Sequence, residues 1–360
     1  MNPPIKVNVH LFYGADPKKY RVGEGRGCLY GYHFAESDRY QLSYSHDADE
    51  NKLLQIFRRG LKAAVGFDFI HAWNNRDEIL SSDVVWTHTE FEYLAVALLC
   101  RLYGHKKRPL LLAQSVWLLD RWPRYSSLKK ALYKKLLRRA DMLSVLSPVN
   151  QKLMEQLSGR KTELVFYGVD ERDFPLQTRN EWHGHEPIRV AAIGNDRDRD
   201  WETLISAFDA DERFQVRLAT RRNVATKPKG NNIEIGPVSG MAAQRELYDW
   251  ADIIVVPLHE NQHASGITVI FEGVACCKPV VATNVGGLEA YFSADELTYV
   301  PPNDPLALKN ALLKLVSDPV ASLETAKRAV ARLRQSEYTV ENFAAQHVAL
   351  TEKLIARSRR

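Results

Sequence analysis

Short apolar runs alternate with segments of helical period along the whole chain. In the front half the pattern predicts strands at Ile5–Tyr13, Phe67–Ala72, Val84–Thr87, Leu110–Ala113, Met142–Leu146 and Leu164–Tyr167, with helices at Glu92–Tyr103, Leu128–Ala140 and Pro148–Leu157. The back half restarts it. Strands are expected at Ile188–Ile193, Phe214–Ala219, Ile233–Ile235, Ile253–Val256, Pro279–Ala282 and Leu297–Val300, with helices at Trp201–Phe208, Ala242–Trp250, Thr268–Ala275 and Pro305–Val316. A last helix is expected to reach about Ile355. Runs such as Ile253-Ile254-Val255-Val256 have no polar alternate and read as strands buried on both faces. Alternating strand and helix over this length predicts parallel sheets covered on both sides, an α/β chain of two doubly wound units.

The 360 residues fit two domains of ordinary size, and 26% charged with 45% apolar residues excludes a disordered or fibrous chain. Four cysteines without a Cys-x-x-Cys spacing exclude a disulfide scaffold and argue against a zinc knuckle; reduced, buried thiols are expected. The longest apolar stretch, Tyr93–Cys100, is far short of the ~20 residues that span a bilayer, so a soluble or surface-bound protein is expected. Charge is uneven. Residues 1–168 carry 26 Lys and Arg against 17 Asp and Glu, a net +9, while the remainder is net −4. Two modules with different partners follow from that asymmetry.

In parallel sheets ligands bind beyond the carboxyl ends of the strands. The segment His259–Thr283 has that placement: a buried strand ends at Pro257, a polar loop follows, and Ser265-Gly266 opens a helix that carries Glu272. Gly266 admits a close backbone approach, and the first free amides of the helix with the Ser265 and Thr268 hydroxyls suit a diphosphate. Glu272 is expected either to accept hydrogen bonds from ribose hydroxyls or to be an ordinary solvated charge.

This segment resembles the motif of family 4 glycosyltransferases, which have the GT-B fold. Glu272 matches the second glutamate of that motif, Lys278-Pro279-Val280-Val281-Ala282-Thr283 its strand, and Val285-Gly286-Gly287-Leu288-Glu289 the turn after it. The family's first glutamate falls at Ala264, a departure for which Glu260 or His263 are the substitutes at hand. Ile235-Gly236-Pro237-Val238 resembles the stretch that holds the nucleobase through its backbone, and Tyr167-Gly168-Val169-Asp170 resembles the end of the family's first domain. The resemblance covers roughly residues 165–320. It implies a donor site built from Arg197 or Arg199, Pro237, His263, Ser265, Gly266, Thr268 and Glu272. The arginines follow the strand Ile188–Ile193 in the run Gly194–Trp201 and would neutralise the donor phosphates; a guanidinium can bind two phosphate oxygens at once. Asp196, Asp198 and Asp200 in the same run can instead be read as a metal-binding set, as in GT-A transferases. The GT-B features around them favour the arginines, with Asp200 capping the next helix, no metal and no cofactor.

The front half offers Asp120, Glu90 and His88 as acid/base candidates, Asp120 first because it lies between Trp117 and Trp122. Many family members have a histidine near Gln114 or Ser115, and it is absent here. The glycine-bearing run Arg21–Gly27 follows its strand too late for a dinucleotide fingerprint and suits a loop lining a cleft. Lys130, Lys134, Lys135 and Arg138, interleaved with Leu128, Leu132, Leu136 and Leu137, predict a helix apolar on one side and basic on the other. Such a helix fits an anionic membrane, to which each basic residue contributes ~1 kcal/mol, rather than nucleic acid.

The expected fold is therefore GT-B: residues 1–168 binding the acceptor, a linker at 169–187, residues 188–337 binding the nucleotide sugar, and a terminal helix in 338–360 returning to the first domain. The resemblance implies a metal-independent hexosyltransferase that moves sugar from a UDP- or GDP-type donor to a hydroxyl on a glycan or lipid-linked saccharide with retention. It would sit peripherally at the cytoplasmic face of the membrane. A non-hydrolysing nucleotide-sugar epimerase and a non-catalytic sugar-nucleotide or membrane-binding module are the alternatives.

Overall fold

The computed structural model describes residues 3–18, 27–104, 108–182 and 184–358. The run Arg21–Gly27 lies, except for Gly27, outside the described residues. The chain divides into two compact units, residues 1–167 with 340–360, and residues 168–339.

The first unit is a six-stranded parallel sheet of β1 (Ile5–His10), β2 (Tyr40–Tyr44), β3 (Val84–Thr87), β4 (Leu110–Ser115), β5 (Met142–Val145) and β6 (Thr162–Leu164), in the order β2-β1-β3-β4-β5-β6. The inner strands β3 and β5 are buried at every position, and apart from Thr87 and Ser144 their residues are apolar. Two apolar layers cover the sheet, one centred on Tyr93, Leu94 and Leu136, the other on Val7, Val9 and Trp86. The terminal helix Val340–Ser358 belongs to this unit. Phe343 and Leu354 enter its core, and Thr351 Oγ1 accepts a 2.8 Å bond from Trp86 Nε1. Phe67–Ala72, expected as a strand, is instead the start of a helix, Phe69–Asn74, capped by the Asp68 carboxylate on the His71 amide. The edge strand β2 and the helix Lys52–Val65 have no counterpart in the expected elements.

The second unit repeats the plan with β7 (Ile188–Ile193), β8 (Phe214–Ala219), β9 (Ile233–Gly236), β10 (Ile253–Val256), β11 (Val280–Thr283) and β12 (Thr298–Val300), all parallel, in the order β12-β11-β10-β7-β8-β9. Its sheet turns back between β7 and β10, so the loops after these two strands meet at one edge. Residues 169–187, expected as a linker, pack on this unit. Gln177 N donates to Ala275 O (2.7 Å), Trp182 Nε1 to Asp252 O (3.2 Å), and Phe174 meets Tyr248 edge-on. The four cysteines are all buried.

Candidate donor site

The loop after β7 and the loop after β10 are held together by one carboxylate. Asp196 Oδ2 accepts from Arg199 Nε (2.9 Å), and its Oδ1 accepts from Ser265 Oγ (3.2 Å) and from the Asp198 amide (2.9 Å). His259 N also donates to Asp198 O across the two loops. Asp200 caps the helix Trp201–Phe208, taking the Thr203 amide and hydroxyl. The three aspartates thus do different work, and among the described residues no three His, Cys, Asp or Glu side chains gather as for a metal ion.

Gly266 caps the helix Ile267–Ala275 with φ +81°, a left-handed backbone that suits glycine. A Cβ there would lie 2.5 Å from the Val256 side chain and 2.9 Å from Arg199 Nη1, so the guanidinium sits directly against the start of this helix. A Cβ on Gly194 would also run into the Arg199 side chain, at Nε and Cζ. Arg199 is 7% exposed, and its Nη1 is buried with no hydrogen-bond partner. Ala264 sits at φ +53°, its amide bonded to Gly286 O, while Asn261 Oδ1 takes the His263 and Ser265 amides. This loop is therefore shaped before any ligand arrives. His263 is buried with Nε2 3.7 Å from Asp198 Oδ2, Thr268 is exposed on the first turn, and Arg197 points outward with Nε 3.7 Å from Asp198 Oδ1.

Glu272 lies one and a half turns into the helix. Its Oε2 accepts from Tyr248 O–H (2.5 Å) and Gln244 Nε2 (3.0 Å), leaving Oε1 without a protein partner among the described residues. The expectation of a solvated charge does not hold: Glu272 is 8% exposed, and burial pushes its pKa up to about 7 despite nearby Arg199. A pocket of about 290 Å³ opens beyond β8 and β9, lined by Leu218, Ala219, Gly236, Pro237, Val238 and Leu247. Arg221 and Arg222, not among the expected site residues, follow β8 in the adjoining loop. Arg221 N donates to Asn195 Oδ1 (2.7 Å) and its Nη2 to Ser239 Oγ (3.3 Å). Two arginines directly after a strand were the available signal.

The comparisons with known proteins bear on this unit first. Residues 189–318 match the family model Glycosyl transferases group 1. That segment is a glycosyltransferase domain, and the chain as a whole has the GT-B fold. Sucrose-phosphate synthase from Thermosynechococcus elongatus is similar over 98% of this chain and 100% of its own, at 18% identity and TM-score 0.74. Anabaena HepE in complex with UDP-glucose is similar over 96% of this chain and 99% of its own, at 16% identity and TM-score 0.68. The α,α-trehalose 6-phosphate synthase from Burkholderia multivorans is similar over 99% of both chains, at 12% identity and TM-score 0.69. No curated protein sequence matches this glycosyltransferase.

In the first unit of the glycosyltransferase the acid/base candidates have unequal surroundings. His88 is buried, stacked on Tyr30 at 3.5 Å, and its Nδ1 takes both Tyr32 O–H (3.0 Å) and Gln114 Nε2 (3.2 Å). Two donors on Nδ1 fix the tautomer with hydrogen on Nε2, and burial holds the pKa down at about 3, so the ring is neutral. Glu90 is wholly buried, with Oε2 on the Val116 and Trp117 amides (3.3 and 3.1 Å); burial raises its pKa. Asp120, in the short helix Leu118–Arg121, is half-buried. Of the basic residues, Lys134, Lys135 and Arg138 are exposed, and Lys130 is half-buried with Nζ 3.4 Å from Pro123 O. Their helix runs only Ser127–Leu137. Tyr133, Leu136 and Leu137 face inward, whereas Leu128, expected on the apolar side, is 85% exposed.

Proposed function

We propose that this glycosyltransferase moves a hexosyl group from a UDP-type donor to a hydroxyl on a glycan or lipid-linked saccharide, with retention and without a metal. GDP is the competing nucleotide. The observation that carries the reading is the Arg199 Nη1, buried and unpartnered against the Gly266-capped helix start. A diphosphate there meets the unsatisfied guanidinium and the open amides of the helix together. The base then falls to the pocket at Pro237 and the ribose to Glu272 Oε1. As the glycosyl bond breaks, negative charge grows on the departing diphosphate, and these preorganised donors stabilise that charge without the reorganisation that bulk water would need. HepE structures with UDP-glucose, with UDP, and with UDP and glucose support a uridine donor. Asp120 is assigned as the group that receives the acceptor proton, and the first unit to the acceptor. An acceptor held at a lipid surface places the protein peripherally at the cytoplasmic face of an anionic membrane, consistent with the basic helix Ser127–Leu137.

The test is calorimetric titration with UDP, GDP and ADP, followed by incubation with radiolabelled UDP-sugars. Saturable UDP binding and sugar-dependent UDP release support the reading. Epimer formation without release supports an epimerase, and binding alone supports a non-catalytic module.

A further inference from the structure

Helix Lys52–Val65 is built inside out. A surface helix normally turns its apolar stripe to the core and its charges to water. Here Leu53, Leu54, Ile56 and Phe57 are 78%, 53%, 66% and 61% exposed, while the one buried residue of the helix is Arg58. The outward stripe follows helical spacing: Leu53, Ile56, Phe57, Gly60 and Ala64 fall on one arc, with Lys52 and Arg59 exposed along its edge.

The helix is held by polar ties on its inner side. Arg58 bonds Glu50 (2.7 Å) and Asp68 (2.6 Å) and lies 3.7 Å above the Tyr13 ring. Asn51 caps its first turn and Gly66 ends it in the left-handed conformation. The element is thus fixed in place without using its apolar arc. Its C-terminal end adjoins the basic helix, where Tyr133 O–H donates to Val65 O at 2.9 Å. Neither Lys52–Val65 nor the run Ser127–Arg139 contains an aspartate or glutamate.

We propose that Lys52–Val65 is an interfacial anchor that lies in the headgroup region of an anionic bilayer and buries Leu53, Ile56 and Phe57 among the acyl chains. This deepens the membrane part of the function proposed above and rests on it. The contact moves from adsorption through the lysines of Ser127–Leu137 alone to insertion of a neighbouring apolar face with those lysines at its side. A stripe of large apolar side chains edged by cations and free of acids is complementary to anionic lipid. A second copy of the chain would bring two uncompensated basic rims together, which disfavours it as the occupant.

The test is co-sedimentation of the full chain with vesicles of phosphatidylcholine alone or mixed with one third phosphatidylglycerol. Wild type is expected on the anionic vesicles. Ile56→Ser/Phe57→Ser is expected to lower the partition coefficient at least tenfold, with UDP affinity by calorimetry unchanged. In Phe57→Trp the added emission is expected to shift to the blue on vesicles and to be quenched by brominated acyl chains, a readout that does not depend on the serine variant folding. Loss of binding only in Lys134→Glu/Lys135→Glu, with the serine variant as wild type and no quenching, overturns insertion and leaves the membrane reading standing. Failure of wild type to bind anionic vesicles overturns both. A concentration-dependent dimer abolished by the serine variant assigns the face to a second copy and overturns the anchor.

Discussion

Arg199 Nε donates to Asp196 Oδ2 at 2.9 Å, and Asp196 in turn accepts from Ser265 Oγ at 3.2 Å. One carboxylate therefore aims a guanidinium and ties the loop after β7 to the loop after β10. The pair leaves Nη1 of the arginine buried and unmet. An unmet buried donor on a cation is costly, so the site gains more from an arriving anion than a solvated arginine would. Arg199→Lys, which keeps the charge and loses the fork, is expected to weaken UDP at least tenfold, about 1.4 kcal/mol, while uridine binding changes little. Calorimetry with the two ligands checks this, because only UDP carries the diphosphate.

Gly266 combines a left-handed backbone with contact to Val256 and Arg199. Gly266→Val is expected to displace the helix start and to lower UDP affinity at least tenfold. Thr268→Ala, at an exposed hydroxyl on the same turn, is expected to cost only a few-fold. Parallel titrations of the two variants separate backbone amides from side-chain hydroxyl as the source of anion affinity.

Glu272 gives a pH prediction. Its pKa in the folded protein is raised to about 7, against 4.5 for the free group. Between those values the native state holds a proton that the unfolded chain has released. This residue therefore makes stability fall as pH rises through the window from about 4.5 to 7, and level off above it. Glu272→Gln lacks that slope, so its stability relative to wild type is expected to improve across the window by roughly 3 kcal/mol. Denaturant midpoints at pH 4.5 and 7.5 measure it. UDP affinity should fall if Oε1 holds the ribose, and wild-type affinity in the glutamine variant removes that assignment.

The front-half carboxylates should separate by kind of effect. Glu90 braces the turn after β4 through two backbone amides. Glu90→Ala leaves both amides unmet in a dry site and is expected to destabilise by about 1–3 kcal/mol. Asp120→Asn is expected to lower kcat at least tenfold with UDP affinity and melting temperature unchanged. Steady-state kinetics beside thermal unfolding distinguishes the two.

What the sequence disclosed follows from burial. The strands of the second unit were readable because runs such as Ile253–Val256 and Val280–Thr283 are buried on both faces and leave no other interpretation. Phe67–Ala72 misled for the complementary reason. Its apolar residues are interrupted by Asp68 and His71, and Asp68 caps His71 and starts a helix, a side-chain bond that periodicity does not register. The edge strand Tyr40–Tyr44 is short and buries alternate residues only, so its signal is weak. Helix Lys52–Val65 inverts the usual rule, with arginine inside and phenylalanine outside, so an apolar stripe alone would not place its neighbours. At the candidate donor site, the helix start at Ser265-Gly266 and the place of Glu272 on that helix were legible from spacing after a strand. The partners that define them were not: Asp196 as the tie, and Tyr248 and Gln244 on Glu272, come from distant segments joined only by the fold.

The most direct measurement is a crystal structure of the chain with UDP. The account predicts the diphosphate at the amides opening the helix Ile267–Ala275, within hydrogen-bond distance of Arg199 Nη1, with uracil in the pocket at Pro237. A nucleotide lodged elsewhere, or a diphosphate that leaves Arg199 Nη1 unmet, contradicts it.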